Sequence, residues 1–477
     1  MKRNMLLLTV FAVVIGLTVC CQDPEPLPDN ETPEQENKEP VKLENFKLSL
    51  PLVGNRIFEG KPTLTVTVEN PNDTVVTAEV KLEIYIDKGT FLMDVKSTVD
   101  VAANETVDID MAPEEELGPG FYKARFSVNK KIAGTYVFGI SPYDIVSAPD
   151  MQPDFDEFWA AAKAQLPELK EGETVTLKEI ASRSSAKNKV YLVEMQSVPN
   201  GLEGDPVIVR GFYVEPQDGQ KHPVLMHFFG WDDRGGSVTV PSGGSGNYAE
   251  FYLSTRGQYH NNRAAGYEKT DEWIAEYGEW QAADPCRYAS ILNPKDEYNW
   301  FGFNFGDKNG FYYRGAFMDC VQAVRFMATR PTSDMNNLFA EGSSQGGALS
   351  YATAALSDYP FTAIAANVAF LGDYPDYFDI VGWPGNVAKA NQGSMTDEEM
   401  YAFLSYFDTK NLATKISCAV IASSGLMDGT CPPHTNFAPF NNLNTQDKEM
   451  IVDPKMGHDF PAGWSTKWGT FFKERMK

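Results

Sequence analysis

The chain has 477 residues and a formal net charge of −24. A loose prior of roughly 150 residues per domain puts about three units in that length, and one α/β core of ordinary size with one small domain fills it as well. Hydrophobic residues make up 43% and charged residues 22%, which excludes a disordered chain and a multi-span membrane protein. The negative field repels polyanions, so nucleic acid is disfavoured as a partner, while a neutral ester is untouched by it.

Lys2 and Arg3 precede an apolar run from Met5 to Val19. That is a charged n-region followed by an h-region of signal-peptide length, short of the ~20 residues that span a bilayer. It ends in Leu17-Thr18-Val19-Cys20-Cys21, which resembles a bacterial lipobox. Residues 1–20 therefore read as a lipoprotein signal, with Cys20 or Cys21 as the lipid attachment point. Cys20 is preferred because it puts Leu17 at the −3 position. The expectation is an exported lipoprotein anchored to a membrane surface, the outer membrane by preference. Residues 22 to 41 then carry five prolines and seven acids against one lysine. Such a stretch cannot bury apolar surface, so residues 21–41 are predicted to be an extended, self-repelling tether.

Residues 42–143 alternate with period two. Leu64 to Val68, Val80 to Ile86 and Tyr122 to Val128 are clear strands, separated by turn signals at Asn70-Pro71-Asn72-Asp73, Asp87-Lys88-Gly89 and Gly118-Pro119-Gly120. Short alternating strands at this spacing predict an immunoglobulin-like β-sandwich. The segment has no His and no Cys, so it reads as a spacer or binding module.

Residues 145–477 change pattern. Phe155, Phe158, Trp159 and Ala162 share one helical face. Beyond them apolar strand candidates (Val207–Phe212, Val224–Phe229, Phe251–Leu253, Leu338–Ala340, Ala363–Phe370, Ala419–Ala422, Met450–Val452) alternate with helical stretches, notably Tyr313–Ala328. That alternation predicts a largely parallel sheet covered on both faces, with its chemistry at the C-terminal ends of the strands.

Gly342-Ser343-Ser344-Gln345-Gly346 follows one such strand and precedes a helix-forming stretch. This is G-x-S-x-G in the strand–turn–helix setting of a nucleophile elbow. The elbow requires an acid and then a histidine, each in a loop after a later strand. Asp428 follows Ala419–Ala422, and His458 follows Met450–Val452. Ser344 would be the nucleophile, His458 its base, and Asp428 the group that orients the imidazole. Among the other histidines, His227 reads as a sheet residue, His222 as surface, His260 as a loop residue that could line the pocket, and His434 lacks a preceding strand in the right order. The oxyanion donors would be the backbone N–H of Gln345 and, from the loop after Val224–Phe229, that of Trp231. No CxxC or HExxH spacing occurs among the six cysteines and five histidines, so no metal site is expected.

These residues bring a family into view. The C-terminal part resembles the acetyl xylan esterase / cephalosporin-C deacetylase family (carbohydrate esterase family 7, α/β-hydrolase superfamily). The resemblance is carried by Asp154-Phe155-Asp156-Glu157-Phe158-Trp159, Arg256-Gly257-Gln258, Gly342-Ser343-Ser344-Gln345-Gly346-Gly347, Leu404-Ser405-Tyr406-Phe407-Asp408, and Gly425-Leu426-Met427-Asp428 with Cys431-Pro432-Pro433. Phe229-Gly230-Trp231 stands where the family has His-Gly-Tyr, His458-Asp459 where it has His-Glu, and Tyr259 and His260 follow the RGQ motif. The resemblance implies an α/β-hydrolase fold, acetylated xylo-oligosaccharides or other small acetylated sugars as substrate, no cofactor, and a homo-oligomer. Thr396 with Glu399 forms a capping-box pattern in an insertion where hydrolase lids usually sit. Two rival readings are a glycan-binding lipoprotein with a silent hydrolase domain, and a peptidase or long-chain lipase on the same scaffold.

Overall fold

The computed structural model describes residues 46–231, 238, 241–244, 246–256 and 300–477. The signal segment with Cys20 and Cys21, the tether, Gly257, Gln258, Tyr259, His260 and Cys286 lie outside the described residues.

The N-terminal strands pair into two sheets. β1 (Lys47–Ser49), β3 (Leu64–Glu69) and β6 (Thr106–Met111) form one. β2 (Ile57–Phe58), β8 (Lys131–Ile140), β7 (Gly120–Val128), β4 (Val76–Ile86) and β5 (Phe91–Val101), in that order, form the other. The period-two pattern explains the layering. Val76, Ala78, Val80, Leu82 and Ile84 of β4 all point inward, where they meet Leu64, Val66 and Val68 of β3 in one apolar cluster. Asp87-Lys88-Gly89 turns β4 into β5, with Gly89 at φ 90° and its N–H donating to the carbonyl of Ile86 at 2.9 Å.

The larger part is built on one sheet of order β17-β16-β15-β14-β12-β13-β11-β10-β9. Here β9 is Val175–Glu179, β10 Asn188–Ser197, β11 Val207–Pro216, β12 His222–Phe228 and β13 Ala249–Ser254. β14 is Ser333–Ser343, β15 Ala363–Asn367, β16 Ala419–Gly425 and β17 Lys448–Asp453. The strands from β13 to β17 run parallel, as expected. β9, β10 and β11 add an antiparallel flank, and β9 and β10 were not singled out from the sequence. β15 stops at Asn367 rather than near Phe370. The chain swings away there because the Phe370 N–H donates to the Ser344 carbonyl at 3.0 Å, with Val368 at φ 38°.

Helices cover both faces. α1 (Phe155–Ala164), α2 (Tyr312–Ala328) and α3 (Gln345–Leu356) pack on one, and Phe158, Trp159 and Ala162 of α1 are buried as the helical spacing predicted. The insertion between β15 and β16 holds α4 (Tyr374–Ile380), α5 (Gly382–Asn391), α6 (Asp397–Leu404) and α7 (Thr409–Ala413). The capping box is formed: Glu399 N–H donates to Thr396 Oγ1 at 3.2 Å and Thr396 N–H to Glu399 Oε2 at 2.8 Å. α8 (Pro433–Asn441) precedes β17, and α9 (Trp464–Lys473) covers the opposite face. No described helix is long and apolar enough to cross a membrane.

The sandwich packs directly on this unit. Phe121 of β7 lies 5.3 Å from Phe437 of α8 between ring centroids, and Asn441 Nδ2 donates to the carbonyls of Pro142 and Ile145, each at 3.0 Å.

Arg256 is a buried strut of the hydrolase part. Its Nη2 and Nε donate to the two oxygens of Asp319, at 2.6 and 2.9 Å, and its Nη1 donates to Asn200 Oδ1 at 2.8 Å. Gly315 of α2 makes room for the guanidinium, since a Cβ there would sit 2.2 Å from Nη1. Truncating one partner of a buried pair strands the other charge, at about 3–5 kcal/mol. Arg256→Ala should therefore lower the unfolding free energy by about that amount in urea titrations. A loss under about 1 kcal/mol, the scale of an exposed pair, would contradict the strut.

Candidate active site

The pairing of β12 with β14 sets two loops side by side. Phe228 is in register with Gly342, so the loop after β12 and the elbow after β14 leave the sheet together. Ser344 sits between β14 and α3 at φ 57°, ψ −119°, a sharp turn that a serine adopts only under constraint. Two absent side chains permit it. A Cβ on Gly342 would fall 2.3 Å from the backbone of Gly346, and one on Gly346 would fall 2.2 Å from the carbonyl oxygen of Phe228. The Ser344 N–H donates to the Asn367 carbonyl at 2.9 Å, which ties the elbow to β15.

The three residues predicted to act together meet. Ser344 Oγ lies 2.9 Å from His458 Nε2, and Asp428 Oδ2 lies 2.9 Å from His458 Nδ1. Asp428 is buried, and its Oδ1 accepts from the N–H groups of Thr430 at 2.8 Å and Cys431 at 2.9 Å. The acid and histidine loops are tied to each other by Met427 N–H donating to the Met456 carbonyl at 3.0 Å. They can approach so closely because Gly425 has no Cβ to strike that same oxygen, which would lie 2.4 Å away.

The imidazole is tuned by opposing effects. Burial lowers its pKa, while hydrogen bonds to Asp428 and Cys431 raise it, and the net shift is upward. Burial also pushes the Cys431 thiol up, so it stays protonated at neutral pH. Asp428 is then the negative charge that faces the ring. A neutral imidazole so placed can take the hydroxyl proton as oxygen attacks a carbonyl, and the carboxylate stabilises the cation formed.

Of the predicted oxyanion donors, Gln345 follows Ser344 directly and Trp231 lies in the loop after β12, which borders the elbow at Gly230. Gln345 opens α3, whose first N–H groups have no partner within the helix. Gly230 leads into Trp231 and lies against the elbow, its Cβ position 3.5 Å from the Ser343 carbonyl and 3.9 Å from Ser344 Cβ. The Trp231 ring packs on Phe370 and on Trp383 of α5, with centroids 6.1 and 5.5 Å apart. The insertion between β15 and β16 thus supplies an aromatic wall beside the loop after β12.

Other singled-out residues have different surroundings. His227 is a sheet residue, stacked 4.1 Å from Tyr252 and bonded through Nδ1 to Glu341 at 2.7 Å. His222 pairs with Asp218 at 2.9 Å. Asp408, within a motif of the acid region, faces the starts of two helices. It caps helix starts, accepting from Asp373, Tyr374 and Lys410 N–H, and burial pushes its pKa up to about 7. One organising residue escaped the sequence reading. Asn367 Nδ2 donates to Ser343 Oγ at 2.7 Å and to the Asp459 carbonyl at 3.1 Å, linking the elbow to the histidine loop. Nothing in the motif pattern marks it, because its role depends on β15 lying between its partners.

Fold and juxtaposed groups define a hydrolase of the α/β class. The acetyl xylan esterase (AXE1) family matches residues 143–475. The chain belongs to that family, and is a carbohydrate esterase. A curated relative, the acetyl esterase Axe7A of Xylanibacter ruminicola, is 26% identical over 389 residues, covering 81% of this chain and 80% of the relative. Two solved structures share the fold. Acetyl xylan esterase 1 from Thermoanaerobacterium sp. JW/SL YS485 has 23% identity and a TM-score of 0.53, covering 70% of this chain and 98% of its own. The acetyl xylan esterase from Paenibacillus sp. R4 has 22% identity, a TM-score of 0.53 and the same coverage.

Because the His458 pKa is held above 6.5, kcat/KM should fall as pH drops through that raised value. Asp428→Asn should lower kcat by about 10³–10⁴-fold and move the remaining acid limb to lower pH. A pH–rate profile whose limb stays where it was would show that Asp428 does not set the imidazole pKa.

Proposed function

We propose that the chain is a serine esterase that removes acetyl groups from xylo-oligosaccharides or other small acetylated sugars through an acetyl-enzyme. The reading rests above all on the 2.9 Å separations that join Ser344, His458 and Asp428 in one line. Ser344 Oγ attacks the ester carbonyl as His458 takes its proton. The N–H groups of Gln345 and Trp231 receive the developing oxyanion. His458 then protonates the departing sugar hydroxyl, and a water deprotonated by the same imidazole releases acetate.

The family's description favours acetylated xylan fragments as substrate, and the curated relative's name is that of an acetyl esterase. The aromatic wall of Trp231, Phe370 and Trp383 favours a short acyl group over a long one. A lipid on Cys20 or Cys21 and the acidic tether would hold the enzyme at a membrane surface, where metabolic labelling with an alkynyl fatty acid would detect the anchor.

Ser344→Ala should reduce acetate release from acetylated xylo-oligosaccharide by at least about a thousandfold. Activity within about threefold of the parent would instead favour a glycan-binding protein with a silent hydrolase domain, since loss of a triad nucleophile costs far more than that. In a nitrophenyl ester series acetate should be preferred to octanoate, and the reverse order would mark a lipase.

A further inference from the structure

The turn between β4 and β5 of the sandwich reaches into the hydrolase part. Lys88 Nζ donates to Asp376 Oδ1 at 2.5 Å and to Asp379 Oδ2 at 3.2 Å, both on α4. Beside it Asp87 Oδ2 lies 3.5 Å from Nδ1 of His434, the second residue of α8. The other ring nitrogen of His434 lies 3.0 Å from Asp376 Oδ2 and 3.3 Å from Asp373 Oδ2. Lys410 completes the group, 2.9 Å from Asp373 Oδ1. Carboxylates thus face both ring nitrogens. Burial works against the charged ring, but Asp373, Asp376 and Asp87 together raise its pKa to about 9, so it is protonated at neutral pH. Asp373, Asp376 and His434 also hold potential ligand atoms within 4.8 Å of one another. Lys88 and Lys410 already supply the positive charge there, so the group reads as an ionic knot rather than a metal centre.

Two of the helices in this knot, α4 and α8, also hold the loop of Asp428. On α4, Tyr377 follows Asp376 and its hydroxyl donates to the Thr430 carbonyl at 2.5 Å. On α8, Asn436 Nδ2 donates to the Cys431 carbonyl at 2.9 Å. Thr430 and Cys431 in turn give both N–H groups that fix Asp428 Oδ1.

We propose that the Asp87–Lys88 turn of the sandwich is a positioning element for the triad carboxylate: it locks α4 to α8, and those helices hold the 429–431 loop that aims Asp428 at His458. The sandwich is then part of the esterase rather than a spacer. The inference rests on Asp428 being the orienting acid of the proposed mechanism. Its physical basis is the steep dependence of catalysis on placement, by which a displacement of about 1 Å, caused far from the chemistry, can cost a hundredfold.

The test uses the full chain, 4-nitrophenyl acetate as probe, and the Asp87→Ala/Lys88→Ala double variant beside Lys88→Arg. The groups facing His458 are Asp428 and the Cys431 thiol, so the acid limb of kcat/KM reports how well Asp428 is aimed. In the double variant kcat should fall about ten- to hundredfold, with KM little changed and the acid limb moved to lower pH. Lys88→Arg, whose guanidinium still spans two carboxylates, should keep most of the parent's kcat. Melting curves are taken in parallel and all assays run well below the transition. Unchanged kcat and limb in the double variant would overturn the proposal, whether or not the melting temperature drops. A loss of kcat with the limb unmoved would overturn it too, because general loosening does not act through the imidazole pKa. Ser344→Ala and Asp428→Asn are run alongside: if either retains parental activity, the mechanism itself has failed, independently of the turn.

Discussion

Ser344 is held where a serine does not go by preference, at a local cost of about 1–3 kcal/mol, and the rest of the site is arranged around keeping it there. Backbone bonds on two sides over-determine the turn: its N–H is taken by Asn367, and its carbonyl receives Phe370. The close passage of Gly346 under the Phe228 carbonyl leaves no space for the chain to relax. A hydroxyl fixed in this way loses little entropy when it reacts, which is where placement contributes to rate.

The same logic of short, doubly anchored loops recurs around the imidazole. The acid loop is tied to the histidine loop by Met427 and Met456, and Asn367 reaches both Ser343 and the carbonyl of Asp459. β15 is therefore more than a spacer in the sheet. It carries Asn367, whose amide side chain links the Ser344 elbow to the His458 loop. Buried charge is handled in kind. Arg256 and Asp319 satisfy each other with help from Asn200, and Asp408 is surrounded by backbone donors. The Arg256–Asp319 pair thus has partners that offset the cost of leaving water, whereas the buried Arg314 guanidinium keeps Nε and Nη1 without a hydrogen-bond partner among the described residues.

Much of this was legible along the chain. The G-x-S-x-G pattern needs only local sterics, so Ser344 could be read directly. Asp428 and His458 followed because each comes after an apolar strand in the required order. The sandwich strands were legible from strict alternation, and α1 from the spacing of its aromatics. The antiparallel flank of β9 and β10 was missed: β9 is only five residues long, and the apolar run Val190-Tyr191-Leu192-Val193 of β10 shows its antiparallel pairing with β11 only in the fold. Asp408 carried a family motif but serves as a helix cap, a distinction that depends on which N–H groups converge on it.

What the sequence determined by itself was identity and order: which side chains can be nucleophile, base and orienting acid, where glycine must stand, and where the pattern changes from period two to mixed strands and helices. Only the tertiary structure decided which distant groups share a hydrogen bond. Asn367 between two loops, the fit of Arg256 over Gly315, and the Asp87–Lys88 turn against α4 and α8 all join residues far apart in the chain. Such pairings are set by sheet register and helix packing, and a linear pattern carries no record of a distance between elements that meet only after folding.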